Sequence, residues 1–107
     1  MKNVLFLCSK NRLRSPTAEQ VFAAHPSIEV ASAGLGNDAD EPATAELVGW
    51  ADLIFVMEKV HRSRLQRRFR KHLRARVICL DIPDDYAFMD EALIALLKAR
   101  VTPHLPA

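Results

Sequence analysis

The chain has few of the residues that staple or loosen a fold: among 107 residues there are two cysteines, three glycines, one tryptophan and one tyrosine. Two cysteines, Cys8 and Cys79, cannot form a dense disulfide framework or a paired-cysteine metal knot, so a reducing cytoplasm is the expected setting. No apolar run reaches membrane-spanning length, and Lys2 precedes only a strand-length apolar stretch, so neither a membrane span nor a signal peptide is expected. A net charge of +2 is too small to point to a nucleic-acid binder. Repeats and low-complexity segments are missing as well. What is present is a half-hydrophobic composition, which suits one compact domain over residues 1–107 with its own core.

The apolar pattern alternates between two periods along the chain. Val4–Leu7 is short and continuous, as in a strand buried on both faces of a parallel sheet. Pro16–Ala24 reads as a helix, capped by Ser15 with Pro16 in its first position, burying Ala18, Val21 and Phe22 and stopped by His25-Pro26. Ser27–Ser32 is a second strand. Ala33–Asp38 is turn chemistry, and its Gly34-Leu35-Gly36 lacks the third glycine of a dinucleotide fingerprint. A short helix is expected from Asp40 or Glu41, with Pro42 early and Gly49 near its end. Asp52–Met57 is a third strand, and Glu58–Arg74 a basic helix with a stripe of Leu65, Phe69 and Leu73. Its Arg62, Arg64, Arg67, Arg68, Arg70 and Lys71 read as a solvated face; the sharper alternative is attraction of acidic partners or nucleic acid, although no interleaved aromatics support base stacking. Val77–Leu80 is a fourth strand, 81–87 a loop, and Asp90–Arg100 a closing helix burying Leu93, Leu96, Leu97 and Val101, ended by Pro103 and Pro106. Four strand–helix alternations predict an α/β fold, a small parallel sheet with right-handed crossovers and helices on both faces. All strand C-termini then share one edge, where open sheets bind ligands.

The chemistry concentrates on that edge, between Cys8 and Glu19. A strand ends in Cys8, a polar loop follows, and a helix opens, so successive backbone N–H groups can form an anion nest at the helix's positive end. Such a setting favours the thiolate of Cys8. Arg14, separated from it by five residues, can grip two oxygens of a tetrahedral dianion. Nucleophile, oxyanion cradle and fixed cation together describe phosphoryl transfer to sulfur. Asn11 tolerates the left-handed backbone that a tight nest demands, Ser15 can hydrogen-bond the thiolate as well as cap the helix, and Lys10 and Arg12 stand at the rim. Cys79, inside an apolar strand, reads as a small core residue.

Cys8, the five-residue gap, Arg14 and Ser15-Pro16-Thr17-Ala18-Glu19 resemble the phosphate-binding loop of the low-molecular-weight protein tyrosine phosphatases. The resemblance continues through Ser32-Ala33-Gly34, Ala51–Met57 and Asp81-Ile82-Pro83-Asp84-Asp85-Tyr86. It implies strand order 2-1-3-4 and a cysteine-dependent phosphatase that needs no metal or cofactor. The expected substrate is a phosphotyrosine protein or a small aryl phosphate, hydrolysed through a cysteinyl-phosphate, and the enzyme a monomer or weak homo-oligomer. Cys8, Arg14 and Asp84 are the expected catalytic residues; Ser9, Lys10, Asn11, Arg12, Leu13, Ser15 and Tyr86 are the expected substrate-binding set. Asp84 matches the family's general acid and Tyr86 the ring beside the substrate. Asp85 stands where the family has proline, so Asp85 and Asp81 remain alternatives for the acid. Leu13 occupies the place of a second loop cysteine in many members, and the segment between Gly34 and Asp52 is shorter than usual. An arsenate reductase using the same loop, a phosphocysteine carrier, and a weakly catalytic phosphotyrosine-binding module are the competing readings.

Overall fold

The computed structural model describes residues 1–106. Its elements are β1 (Lys2–Cys8), α1 (Arg14–Phe22), β2 (Ile28–Gly34), α2 (Ala45–Trp50), β3 (Leu53–Val56), α3 (Lys59–Phe69), β4 (Arg76–Cys79), α4 (Glu91–Val101) and a closing 3-10 turn over Thr102–His104. The four strands form one parallel sheet in the order β2-β1-β3-β4, as the resemblance implies. Strand alternation divides the core into two layers. Val4, Phe6, Leu53 and Phe55 face a layer completed by Ala18 and Phe22 of α1 and Leu93, Leu97 and Val101 of α4. Leu5, Leu7, Ile54 and Val56 face the other, with Val48 of α2 and Leu65 and Phe69 of α3. Phe6 anchors the first layer, stacked on Phe22 at 5.8 Å and on Phe55 at 5.4 Å between ring centroids. Each such aromatic pair adds about 1 kcal/mol beyond its buried area.

The register sets the site. Cys8 pairs with Gly34, and Leu7 with Val56, which in turn pairs with Cys79. The ends of all four strands therefore line up on one edge, which carries residues 8–14, 34–43, 57–61 and 80–86. Backbone donors extend the alignment past the strands: Met57 N–H reaches Leu7 O at 3.2 Å, Leu80 N–H reaches Val56 O at 2.8 Å, and Ile82 N–H reaches Met57 O at 2.8 Å. The segment bearing Asp84 is thus drawn back towards β1 across β3.

Three boundaries differ from the sequence reading. Helix α1 starts at Arg14 with Leu13 as N-cap and no capping side chain, because the Ser15 side chain is turned inward for another use. Helix α2 starts at Ala45, capped by the Thr44 hydroxyl. The residues expected to open it instead prolong the β2 edge, Pro42 bridging Gly34 and Ala43 N–H reaching Gly34 O at 2.8 Å. Helix α3 ends at Phe69; the good helix formers beyond it turn back, since β4 must start at Arg76. No helix among the described residues is long and apolar enough to cross a membrane.

Candidate active site

The loop after β1 is shaped by where its carbonyls go. Leu35 N–H donates to Cys8 O at 2.9 Å, Gly36 N–H to Ser9 O at 2.7 Å, and Asp40 N–H to Lys10 O at 3.0 Å. Three successive carbonyls are held outward against the β2–α2 segment. In a trans peptide the following N–H points the opposite way, so the amides of Ser9, Lys10 and Asn11 face the loop's concave side. Asn11 N–H does so visibly, donating to Cys8 Sγ at 3.2 Å. Asn11 itself has φ 56°, the left-handed conformation its short amide tolerates.

The turn around Gly34 and Gly36 serves this packing. A Cβ on Gly34 would lie 2.7 Å from Ser9 O and 2.5 Å from the Ala39 side chain, and one on Gly36 2.9 Å from Ser9 O. These glycines let one backbone lie directly on the other.

Cys8 is buried, and its sulfur lies 2.9 Å from Ser15 Oγ. Ser15 Oγ is also 2.8 Å from Asn11 Oδ1, to which it donates. This explains why Ser15 caps nothing: its hydroxyl joins the first turn of α1 to the sulfur and to the loop asparagine. Thr17 closes the same turn by donating to Leu13 O at 2.6 Å, and its oxygen accepts Met89 N–H at 3.0 Å. Glu19 accepts the Ser32 hydroxyl, tying α1 to β2.

Arg14 is 3% exposed. Its Nη1 donates to Glu58 Oε2 at 2.6 Å and to Ile82 O at 2.7 Å, which commits both hydrogens of that nitrogen. Its Nε lies 3.7 Å from Asp84 Oδ1. The guanidinium is thus pinned at one corner, and the Nε–Nη2 edge is the fork that remains for an oxyanion.

Among the aspartates, Asp81 is turned elsewhere. It has φ 53°, accepts the Cys79 thiol at 3.4 Å, and its carbonyl accepts Arg100 at 2.9 Å. Asp84, with its side chain 64% exposed, is the carboxylate near the arginine. Asp85 is exposed, and Tyr86 is half-buried against the α1–α4 layer.

Two participants went unnoticed in the sequence reading, Glu58 and His61. Glu58 holds Arg14 as described. His61 is fully buried; its Nδ1 accepts Glu58 N–H at 3.0 Å, and its Nε2 is 2.9 Å from Ser9 Oγ. Since an amide can only donate, the ring proton sits on Nε2 and is given to Ser9. Burial, with Arg14 and Arg64 nearby, lowers the His61 pKa to about 4 against the opposing pull of Glu58 and Asp84. The sheet edge could have revealed both residues, for they follow β3 directly where ligand-binding residues gather.

Of the remaining expected residues, Lys10 pairs with Asp38 at 3.6 Å and Arg12 with Asp40 at 3.1 Å, so the rim cations lean on the β2–α2 segment. Leu13 is 37% exposed at the mouth. Cys79 is half-buried and not a core residue proper; burial raises its thiol pKa, with the Asp81 backbone hydrogen bond opposing.

Comparison with known proteins agrees with this geometry. A model of the family described as low molecular weight phosphotyrosine protein phosphatase matches residues 3–51. Wzb from Vibrio vulnificus, solved with benzylphosphonate, is 26% identical over 96% of this chain and 96% of its own, with a TM-score of 0.74. The N-terminal part of this chain, just under half of it, is similar to the low-molecular-weight protein tyrosine phosphatase family. The match and this neighbour support a cysteine-dependent phosphatase, with Cys8 inside the matched residues. The tyrosine phosphatase AmsI from Erwinia amylovora is likewise 26% identical, over 100% of this chain and 95% of that one, with a TM-score of 0.73. An arginine phosphatase, YwlE from Geobacillus stearothermophilus, shares the fold at 21% identity over 95% of this chain and 87% of that one, with a TM-score of 0.73. Comparison by sequence with curated proteins finds no significant match.

Proposed function

We propose that this phosphatase hydrolyses aryl phosphate monoesters, phosphotyrosine in proteins first among them. Cys8 would be the nucleophile, Arg14 and the loop amides the oxyanion clamp, and Asp84 the general acid. The observation that carries the reading is the convergence on one sulfur of an inward amide and a serine hydroxyl, beside a buried arginine whose free edge adjoins Asp84. The benzylphosphonate bound to the Vibrio vulnificus relative, an aromatic ring one carbon from phosphorus, supports an aryl substrate.

In the first step Cys8 sulfur attacks phosphorus in line, the P–O bond breaks, and Asp84 gives its proton to the leaving oxygen. In the second, Asp84 takes a proton from water as that water attacks phosphorus, and the S–P bond breaks to release phosphate and the thiolate. The equatorial oxygens stay on the Arg14 fork and the loop amides throughout. Ser15 stabilises the sulfur anion in both its departures. Ser9, Lys10, Asn11, Arg12 and Leu13 surround the phosphate, and Tyr86 flanks the aryl ring. Every group used comes from one chain, and a nucleophile that must stay reduced fits a reducing compartment such as the cytoplasm.

The test is hydrolysis of p-nitrophenyl phosphate and of a phosphotyrosine peptide between about pH 4 and 8, beside Cys8→Ser. Turnover that depends on Cys8 and is best on the acidic side supports the reading. Equal turnover by Cys8→Ser would overturn it.

A further inference from the structure

The chain's charge is sharply divided. Of its fifteen lysines and arginines, nine fall between Lys59 and Arg76 with no acidic residue among them, so the remaining chain has six cations against thirteen carboxylates. Part of this basic stretch adjoins the catalytic loop. His61 touches Ser9 at 2.9 Å, and Arg64 stands one turn further along α3, close enough to push the His61 proton off. Arg68, a further turn on, donates to Leu35 O at 2.7 Å and lies 5.0 Å over the Phe69 ring. Arg64, Arg67 and Arg68 line a cavity of about 300 Å³ with Leu35, Gly36 and Asn37. Gly36 is the residue whose amide holds Ser9 O, so the cavity's far wall is the back of the phosphate loop.

A cavity with three guanidinium groups and no carboxylate in its lining suits an anion. Arg68 is fixed by the Leu35 carbonyl and its own neighbour's ring, so one cation is already oriented, and the exposed Arg64 and Arg67 can close on a ligand. From His61 to Arg68 the helix rises about 10 Å, the length of about three extended residues.

We propose that the Arg64–Arg67–Arg68 cavity is a specificity subsite for carboxylates of the phosphoprotein substrate, placed about three or four residues from the phosphorylated one. The inference rests on the phosphatase reading and adds what the substrate carries around its phosphoryl group. Acidic segments are drawn to this face while the phosphate enters the Cys8 cradle, and the negative remainder of the molecule repels them elsewhere. Exposed pairs of this kind are individually weak, so the subsite acts on affinity and capture, with little effect on the chemical step.

The experiment compares two phosphotyrosine peptides of equal length, one with glutamates and one with glutamines three and four places either side of the tyrosine. The wild type should prefer the acidic peptide by about 5- to 10-fold in kcat/KM, carried in KM and lost at high salt. Arg64→Gln/Arg67→Gln should remove most of that preference while leaving p-nitrophenyl phosphate hydrolysis unchanged. Arg74→Gln/Arg76→Gln, at the opposite edge of the sheet, should keep it. Equal rates on both peptides, or a preference that survives Arg64→Gln/Arg67→Gln, would overturn the subsite alone. Equal rates together with an RNA oligonucleotide held through the same arginines would overturn it in favour of nucleic acid. Absence of p-nitrophenyl phosphate turnover in the wild type would overturn the phosphatase reading and the subsite with it.

Discussion

The segment that carries Cys8 and the segment that carries Asp84 meet at Arg14, but they are held in opposite ways. Around Cys8, three carbonyls are fixed by the β2–α2 segment, Ser15 and Asn11 are buried and bonded to the sulfur or to each other, and His61 supports Ser9 from beneath. Around Asp84, the side chain is 64% exposed and its link to the site is an ion pair at 3.7 Å, behind the firmer hold of Arg14 on Ile82 O. The cradle is part of the folded core; the proposed acid is carried on a tethered rim. A cradle must present its dipoles before the phosphoryl group arrives, because reorganising them costs rate. An acid must let the leaving group out and water in, so it has to remain mobile at the mouth.

Replacements on the two sides should therefore fail differently. Cys8→Ser should reduce turnover to background yet keep phosphate or vanadate binding, read by calorimetry; loss of binding as well would mean that the cradle depends on the sulfur. Arg14→Lys keeps the charge but loses the two-pronged fork and the corner held by Glu58 and Ile82. We expect kcat/KM to fall about 10²- to 10³-fold, with weaker phosphate binding. Asp84→Asn should cost about 10²-fold on phenyl phosphate and much less on p-nitrophenyl phosphate, whose leaving oxygen scarcely needs a proton. Asp85→Asn should change either rate by under about twofold, and the reverse pattern would move the acid to Asp85.

The smallest effect concerns stability. His61 has a folded pKa of about 4 against 6.5 when exposed, so the unfolded chain binds more protons between those values. Stability should be fully present above about pH 6.5 and decline as pH falls towards 4, by up to about 3 kcal/mol. His61→Asn should flatten that part of a denaturation-versus-pH curve. An unchanged slope would show that His61 does not stay neutral in the fold.

The same contrast explains what the sequence made legible. Continuous apolar runs such as Val4–Leu7 mark buried parallel strands because both faces need cover, and the strand–loop–helix order of Cys8–Glu19 points to inward loop amides of the kind Asn11 N–H turns on Cys8 Sγ. The α1 cap was misread because a serine before a helix has two uses, and here the sulfur outcompetes the backbone. Helix α2 was begun too early because Asp40 and Pro42 look like starters, whereas the Lys10 carbonyl and the β2 edge claim that stretch. Glu58 and His61 were silent because each acts on a residue about fifty places earlier, Arg14 and Ser9. Such pairs become visible only once the register of β1 and β3 is known.

Ser15 has one hydroxyl hydrogen and three acceptors within reach, Asn11 Oδ1 at 2.8 Å, Cys8 Sγ at 2.9 Å and, furthest, Ala33 O at 3.4 Å. With sulfur protonated, S–H points to the hydroxyl and the hydroxyl to the amide oxygen. Once sulfur is ionised, the hydroxyl turns to the anion and leaves Asn11. Ionisation thus re-sorts two hydrogens over stationary heavy atoms. In mixtures of H₂O and D₂O, the isotopic preference of both positions should enter the ionisation equilibrium, bending its dependence on deuterium fraction, and Ser15→Ala should straighten that line.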